Sequence, residues 1–226
     1  LAADAVFVTF EGGEGVGKST QIRRLADALK TQGHDVFITR EPGGSAGAEA
    51  VRHVILSGAA ESYGVRMEAL LFAAARSDHV ETVIRPALDA GRIVLCDRFM
   101  DSSRVYQGIT GNLPEPLIDG LERVAINGLR PDMTIILDMP AAQGLARARE
   151  RANQSAESLK AVPDRFEKEE LETHEKRREA FRDIAARNPE RCRIVDASRP
   201  IDVIAGDVLA AVQALISERQ ARKERA

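Results

Sequence analysis

The segment Gly12-Gly13-Glu14-Gly15-Val16-Gly17-Lys18-Ser19 gathers four glycines, a lysine and a hydroxyl within eight residues. Glycines let backbone N–H groups curl around an anion with no Cβ in the way. The spacing fits G-x-x-x-x-G-K-[ST], and the chemistry of that pattern is phosphate binding. An apolar run, Ala5 to Phe10, precedes it and a helical pattern begins at Lys18. The loop therefore opens onto the positive dipole end of a helix. In this setting Lys18 reaches the β- and γ-phosphates of a nucleoside triphosphate, and the Ser19 hydroxyl ligates Mg²⁺. The expected binding segment runs from Gly12 through Gly13, Glu14, Gly15, Val16, Gly17, Lys18 and Ser19 to Thr20.

Such a loop serves kinases, switch GTPases and motor ATPases alike, and all of them need a second acidic group. The run "RIVLCDR" sets Asp97 at the carboxyl end of a predicted strand, the end at which open parallel sheets bind ligands. Asp97 is the expected partner of Ser19 at the metal, through water. Asp138, after "TIIL", competes for that role. Arg98 follows Asp97 directly and puts a fixed cation beside the metal, which an acceptor carrying phosphate needs. A guanine-reading switch usually carries N-K-x-D, and no such string occurs.

The elements that must position these groups alternate as βα units around a parallel sheet. Predicted strands are Ala5 to Phe10, Asp35 to Thr39, Ile93 to Cys96, Met133 to Leu137 and Arg193 to Val195. Four of these five are almost wholly apolar, as strands covered on both faces are. Predicted helices are Lys18 to Thr31, Ala46 to Leu56, Met67 to Leu88, Glu115 to Ile126, Ala141 to Ala152, Asp164 to Arg187 and Ile201 to Glu218. Gly108 to Pro116 reads as a loop from its Gly, Asn and Pro content, and Asn153 to Pro163 as a polar flap.

At 226 residues one α/β domain spanning residues 1–226 is expected. A net charge of -3 argues against a nucleic acid duplex as the main partner. Cys96 and Cys192 read as reduced, buried and inert thiols. The apolar runs are too short for a membrane span, and the first residues lack a basic leader with a small-residue cleavage site, so the cytoplasm is the expected compartment. His34, His53, His79 and His174 lack metal-ligand spacing and read as structural or solvent-facing. The alternating charges from Glu167 to Arg182 predict an exposed helix.

Taken together, "FEGGEGVGKST", "TREPGG", "LLFAAARSDH", "CDRFMDSSRVYQG" and "RPDMTIILD" run in that order from Phe10 to Asp138, and "DRFEKEE" follows from Asp164. This series resembles the bacterial thymidylate kinase family, whose members convert dTMP to dTDP with ATP. The resemblance implies a three-layer α/β P-loop kinase fold: a five-stranded parallel sheet flanked by helices, with a lid over roughly residues 147–165. It also implies ATP and dTMP as partners, Mg²⁺ as cofactor and a homodimer.

Carried over by position, the resemblance puts Phe72 on the thymine ring and Arg76 on a thymine carbonyl oxygen. Ser103 and Gln107 would hydrogen-bond the base, and Tyr106 would lie under the deoxyribose. Pro42 would sit near the thymine methyl in the turn that Glu41 opens. Arg40 and Arg98 would bind the acceptor phosphate, Glu14 would approach the sugar 3′-hydroxyl and the metal, and Arg52 would complete the pocket. One branch of the family carries a catalytic arginine in the P-loop, and the other carries arginines in the lid. Gly15 at that P-loop position points to the second branch. Helical spacing puts Arg147 and Arg151 on one face, with Arg149 turned away. Arg151 is the expected catalytic arginine, Arg165 the second candidate, and Arg147 the residue nearest adenine, which the "DASRP" loop would flank. Two departures stand out: a longer stretch between Arg151 and Asp164, and Phe181 where a tyrosine is common. A deoxynucleoside kinase remains an alternative, with Glu14 or Glu41 as base, although the pair Arg40 and Arg98 suits an acceptor that already bears phosphate.

Overall fold

The computed structural model describes residues 4–156 and 169–223. Five strands form one parallel sheet: β1 (Val6–Glu11), β2 (Val36–Arg40), β3 (Ile93–Asp97), β4 (Met133–Asp138) and β5 (Cys192–Asp196). Their order is β2-β3-β1-β4-β5, so β1 is central. β1, β3 and β4 are buried along nearly their whole length, whereas the edge strands β2 and β5 are half-exposed. Each strand lies within a residue or two of its predicted span.

Because successive side chains on a strand point to opposite faces, β1 feeds two cores. Val6, Val8 and Phe10 pack with Ile22, Leu25 and Leu29 of helix α1 (Lys18–Thr31) and with Ile204, Val208 and Val212 of α9 (Ile201–Lys223). Ala5 and Phe7 pack on the other side with Val80, Ile84, Leu88, Phe99 and Met100. The second layer holds α2 (Ala46–Leu56), α3 (Gly64–His79), α4 (Arg85–Asp89), α5 (Met100–Ser103) and α6 (Glu115–Ile126). Two helices, α7 (Ala141–Ala156) and α8 (Leu171–Arg187), follow β4 and lead back to β5. Among the described residues no helix is long and apolar enough to cross a membrane.

Three predicted elements need correction. The helix predicted over Met67 to Leu88 begins at Gly64 and widens into a π-turn over Val80–Ile84. Pro86 explains the widening, since it has no N–H to return to the carbonyl four residues earlier. The predicted loop from Gly108 is in part helical: α5 runs into a π-helical stretch, Arg104–Thr110, and only then does the chain open before α6. The charged stretch ending at Arg182 is not simply an exposed helix. His174 and Arg177 on α8 are buried, and α8 begins at Leu171, with Glu169 and Glu170 outside the helix. Residues 157–168, which include the greater part of the proposed flap together with Asp164 and Arg165, lie outside the described residues.

Candidate active site

The phosphate loop leaves β1 and is shaped by what lies behind it. Gly12 has φ +130°, and a Cβ there would meet the Leu137 carbonyl oxygen at 2.4 Å. Gly15 has φ +70°, and its Cβ would lie 1.9 Å from the Gly144 carbonyl oxygen of α7. The loop is thus wedged between β4 and the first turn of α7, and no side chain, arginine included, fits at position 15. α1 opens on Gly17 with neither a side-chain cap nor an acid in its first turn. Its free N–H groups and positive dipole end therefore stay available to an anion.

Lys18 is buried and donates from Nζ to the carbonyls of Gly12 (3.1 Å) and Gly13 (2.8 Å). Burial and the nearby Arg98 charge lower its ammonium to about 8, with Glu14 and Asp97 opposing. A bound phosphate favours the charged ammonium and strengthens that opposition. Ser19 Oγ donates to Asp97 Oδ2 at 2.6 Å, at the open end of the sheet where Arg40, Asp97 and Phe10 stand in register. A hydroxyl and a carboxylate side by side suit Mg²⁺, a hard cation that keeps most of its water and takes few protein ligands. Among the described residues no group of three His, Cys, Asp or Glu gathers as a metal cage. The rival acid, Asp138, is committed elsewhere: Arg178 donates to both its oxygens (2.8 and 3.1 Å) and Arg182 to Oδ2 (2.8 Å). Burial acts to raise its pKa, but these arginines prevail and hold the carboxyl below its ordinary range.

Beside the loop lies a cleft of about 510 Å³ that opens from Lys18, Ser19 and Asp97 toward α3. Nine of the ten residues assigned to the acceptor line it: Arg40, Glu41, Pro42, Arg52, Phe72, Arg98, Ser103, Tyr106 and Gln107. Arg98 is held in a left-handed conformation, φ 69°. Its guanidinium donates to Glu14 Oε1 (2.6 Å), Ser102 Oγ (3.1 Å) and the Gly12 carbonyl (3.3 Å), and lies 5.0 Å from the Tyr106 ring centre. The Tyr106 hydroxyl donates to the same Glu14 oxygen at 2.7 Å. Burial acts to raise Glu14, but Arg98 and Lys18 outweigh it and leave the carboxyl at about 2. Gln107 donates to Glu68 Oε1 at 2.6 Å, and Arg52 donates to the Pro42 carbonyl at 2.6 Å.

The tenth residue, Arg76, stands behind the wall. Only 3% exposed, it donates to Glu41 Oε2 (2.7 Å), Ser103 Oγ (2.9 Å) and the Phe99 carbonyl (2.9 Å). In this arrangement it meets the cleft through Ser103. Glu41 is likewise occupied on both oxygens, since His79 Nδ1 lies 3.1 Å from Oε1 and its Nε2 lies 2.6 Å from Thr39 Oγ1. Glu41 thus ties the turn after β2 to α3. A glycine is required at 44 because a Cβ there would lie 2.4 Å from His79 Nε2. His79 is the structural histidine the sequence leads one to expect, fully buried.

Arg151 on α7 also lines the cleft. Arg147, one turn earlier and exposed, donates to the Ala197 carbonyl (3.2 Å) in the "DASRP" loop. Four groups were not singled out from the sequence. They are Glu11, Asp101 with its partner Arg191 (2.6 Å), and Arg177, whose guanidinium is 4.3 Å from the Tyr106 ring centre. Nothing in their local sequence marks them, because each is defined by a partner far away in the chain.

A central parallel sheet, a glycine loop between β1 and α1, and an acid at the end of β3 define a P-loop kinase fold. Comparison with known proteins narrows it. The thymidylate kinase family model matches residues 10–208. The chain is 51% identical over 222 residues to a thymidylate kinase of Nitrobacter winogradskyi, covering 97% of this chain and 94% of that one. It is 53% identical over 207 residues to a thymidylate kinase of Bradyrhizobium diazoefficiens, covering 92% and 88%. The crystal structure of thymidylate kinase from Ehrlichia chaffeensis superposes with a TM-score of 0.72 at 31% identity, covering 92% of this chain and 98% of that one. The chain belongs to the thymidylate kinase family.

Proposed function

We propose that this protein transfers the γ-phosphoryl group of ATP to dTMP, giving dTDP and ADP. The observation that carries the proposal is one cleft in which the phosphate-loop groups Lys18 and Ser19 face Arg40, Arg98, Phe72 and Tyr106. Family membership supports the same reading.

A phosphate monoester has its second pKa near about 6, so the acceptor is already a nucleophilic dianion at neutral pH and needs no general base. The work left to the protein is to hold two polyanions in line and neutralise their charge. Lys18 leaves the loop carbonyls for the β- and γ-phosphates. Arg98 and Arg40 bind the acceptor phosphate, with Arg98 exchanging part of its pairing with Glu14 for the incoming dianion. Phe72 stacks on thymine, Ser103 and Gln107 hydrogen-bond its edge, and Pro42 and Arg52 close the pocket. Tyr106, held by Glu14, lies under the sugar. Arg151 approaches the transferring phosphoryl group, and Arg147 with the Asp196–Pro200 loop flanks adenine. Ser19 and Asp97 would hold Mg²⁺, which when bound would supply charge neutralisation to the transferring phosphates.

The functional unit is one kinase domain acting in the cytoplasm, a setting in which the unpaired thiols Cys96 and Cys192 stay reduced. It works as a homodimer, a reading supported by the exposed apolar side chains Met67 and Leu70 of α3 and Val124 of α6, two helices that pack together. ADP release from ATP and Mg²⁺, measured with dTMP, dUMP, ribose-TMP, dCMP, AMP and thymidine, tests the reading. Turnover with dTMP, weaker turnover with dUMP and little with the rest is expected. Preference for thymidine or AMP would overturn the acceptor assignment.

A further inference from the structure

Glu11 ends β1 on the sheet face shared by Phe7 and Thr9, and its side chain is fully buried. A carboxylate at such a place needs dedicated donors. It has three, all from the segment that follows β3, the turn residue Phe99 and Ser102 of α5. Oε1 accepts from the backbone N–H of Phe99 (2.8 Å) and of Ser102 (3.2 Å), and Oε2 accepts from the Ser102 hydroxyl (2.6 Å). The Phe99 amide stands at the start of α5, where a helix supplies no acceptor, and the Ser102 amide is shared between Glu11 and the Phe99 carbonyl (3.2 Å).

The turn so held is the one that carries Arg98. The Arg98 amide donates to the Phe10 carbonyl (2.9 Å), which pins the end of β3 to β1. The backbone then takes its left-handed step at Arg98, φ 69°, a conformation unfavourable for a residue with a side chain unless its surroundings enforce it. One residue later the chain is caught by Glu11. A second link reaches the guanidinium. Ser102 spends its one hydroxyl proton on Glu11, so its lone pairs face Arg98 Nη1, which donates to it at 3.1 Å. One buried carboxyl group thus reaches both the backbone that follows Arg98 and, through Ser102, the guanidinium, which also donates to Glu14 and the Gly12 carbonyl.

We propose that Glu11 is the positioning residue for the acceptor phosphate, holding the Arg98–Ser102 turn so that the Arg98 guanidinium faces the cleft. The proposal rests on the reading of Arg98 as an acceptor-phosphate ligand. Glu11 touches no substrate, and its effect is confined to the part of binding that the phosphate provides. The amide of Glu11→Gln keeps one oxygen for the two backbone donors and can donate to Ser102, which still accepts from Arg98. It therefore preserves the turn, whereas Glu11→Ala removes every acceptor.

The test compares the Kd of dTMP with that of thymidine by calorimetry, together with KM for ATP, in wild type, Glu11→Ala, Glu11→Gln and Ser102→Ala. Urea unfolding of each variant confirms that it is folded. Wild type is expected to bind dTMP more tightly than thymidine. Glu11→Ala is expected to shrink that preference at least tenfold while thymidine affinity and the ATP KM change less than threefold. Glu11→Gln restores the preference to within threefold of wild type. Combining Glu11→Ala with Ser102→Ala should reduce the preference no further than Glu11→Ala alone. An unchanged preference in folded Glu11→Ala, or equal losses for dTMP, thymidine and ATP, overturns the proposal. If Glu11→Ala does not fold, Ser102→Ala decides: an undiminished preference overturns the proposal and a severalfold loss supports it. A wild type without any phosphate preference would instead remove the reading of Arg98 on which the proposal stands.

Discussion

Replacing Gly144 by alanine separates two opposed effects in one substitution. Within a helix, alanine is favoured over glycine by about 1 kcal/mol. Against that gain, a Cβ on Gly144 would lie 2.4 Å from the Glu14 carbonyl oxygen in the phosphate loop. The obstacle is backbone, so α7 and the loop must part by about 1 Å to recover ordinary contact. Overpacking of this kind costs about 1–3 kcal/mol. The net expectation lies between no change and a loss of about 2 kcal/mol. Gly206→Ala in α9 is the reference, because nothing lies within 4 Å of a Cβ there and the helix gain should appear alone. Urea denaturation of both variants should show a gap of about 1–3 kcal/mol between them. A misplacement of about 1 Å in a catalytic loop can lower rates by about a hundredfold. Gly144→Ala should accordingly lose at least about tenfold in kcat/KM for ATP. Equal stabilisation by the two substitutions, with ATP kinetics untouched, would refute the claim that α7 sets the position of the loop.

Arg151→Ala should lower kcat by about a hundredfold or more while the dTMP KM moves within about threefold; a wild-type kcat would withdraw Arg151 from the transferring phosphate. Asp97→Asn should lower kcat and raise the Mg²⁺ concentration required. Asp138→Asn should leave the Mg²⁺ requirement alone but cost about 1–3 kcal/mol of stability through Arg178 and Arg182; the opposite pattern on titration would exchange the two acids. Glu14 is held at about 2 against an ordinary 4.5, so the stability it contributes is complete above about 4.5 and is lost as pH falls toward 2. Wild type should exceed Glu14→Gln by an extra margin of about 3 kcal/mol at neutral pH that shrinks through that acid range. A margin constant with pH in thermal melts would show that Arg98 does not depress Glu14.

What could be read from the sequence was whatever chemistry is contiguous. The phosphate loop carries its geometry in its own glycines, and its strand and helix follow directly from the flanking periodicity. Of the ten residues that the resemblance assigns to the acceptor, nine share one cleft. Arg76 fell outside because its three partners come from the turn after β2 and from the start and end of α5, a convergence that no local pattern encodes. The helical stretch from Met100 to Thr110 was missed for a related reason. Its serines, glycine and β-branched residues are weak helix formers, and the acceptor that secures its start is Glu11, 88 residues earlier than Phe99. Alternating charge along α8 predicts a solvated helix. Arg177 is nonetheless buried against Tyr106, and Arg178 reaches Asp138.

Transfer of phosphoryl from ATP to a phosphate is tested directly by γ-labelled ATP with Mg²⁺ and an equimolar mixture of dTMP and thymidine. Label is expected in dTDP, with thymidine untouched. Label in dTMP formed from thymidine, or label released only as inorganic phosphate, would contradict it.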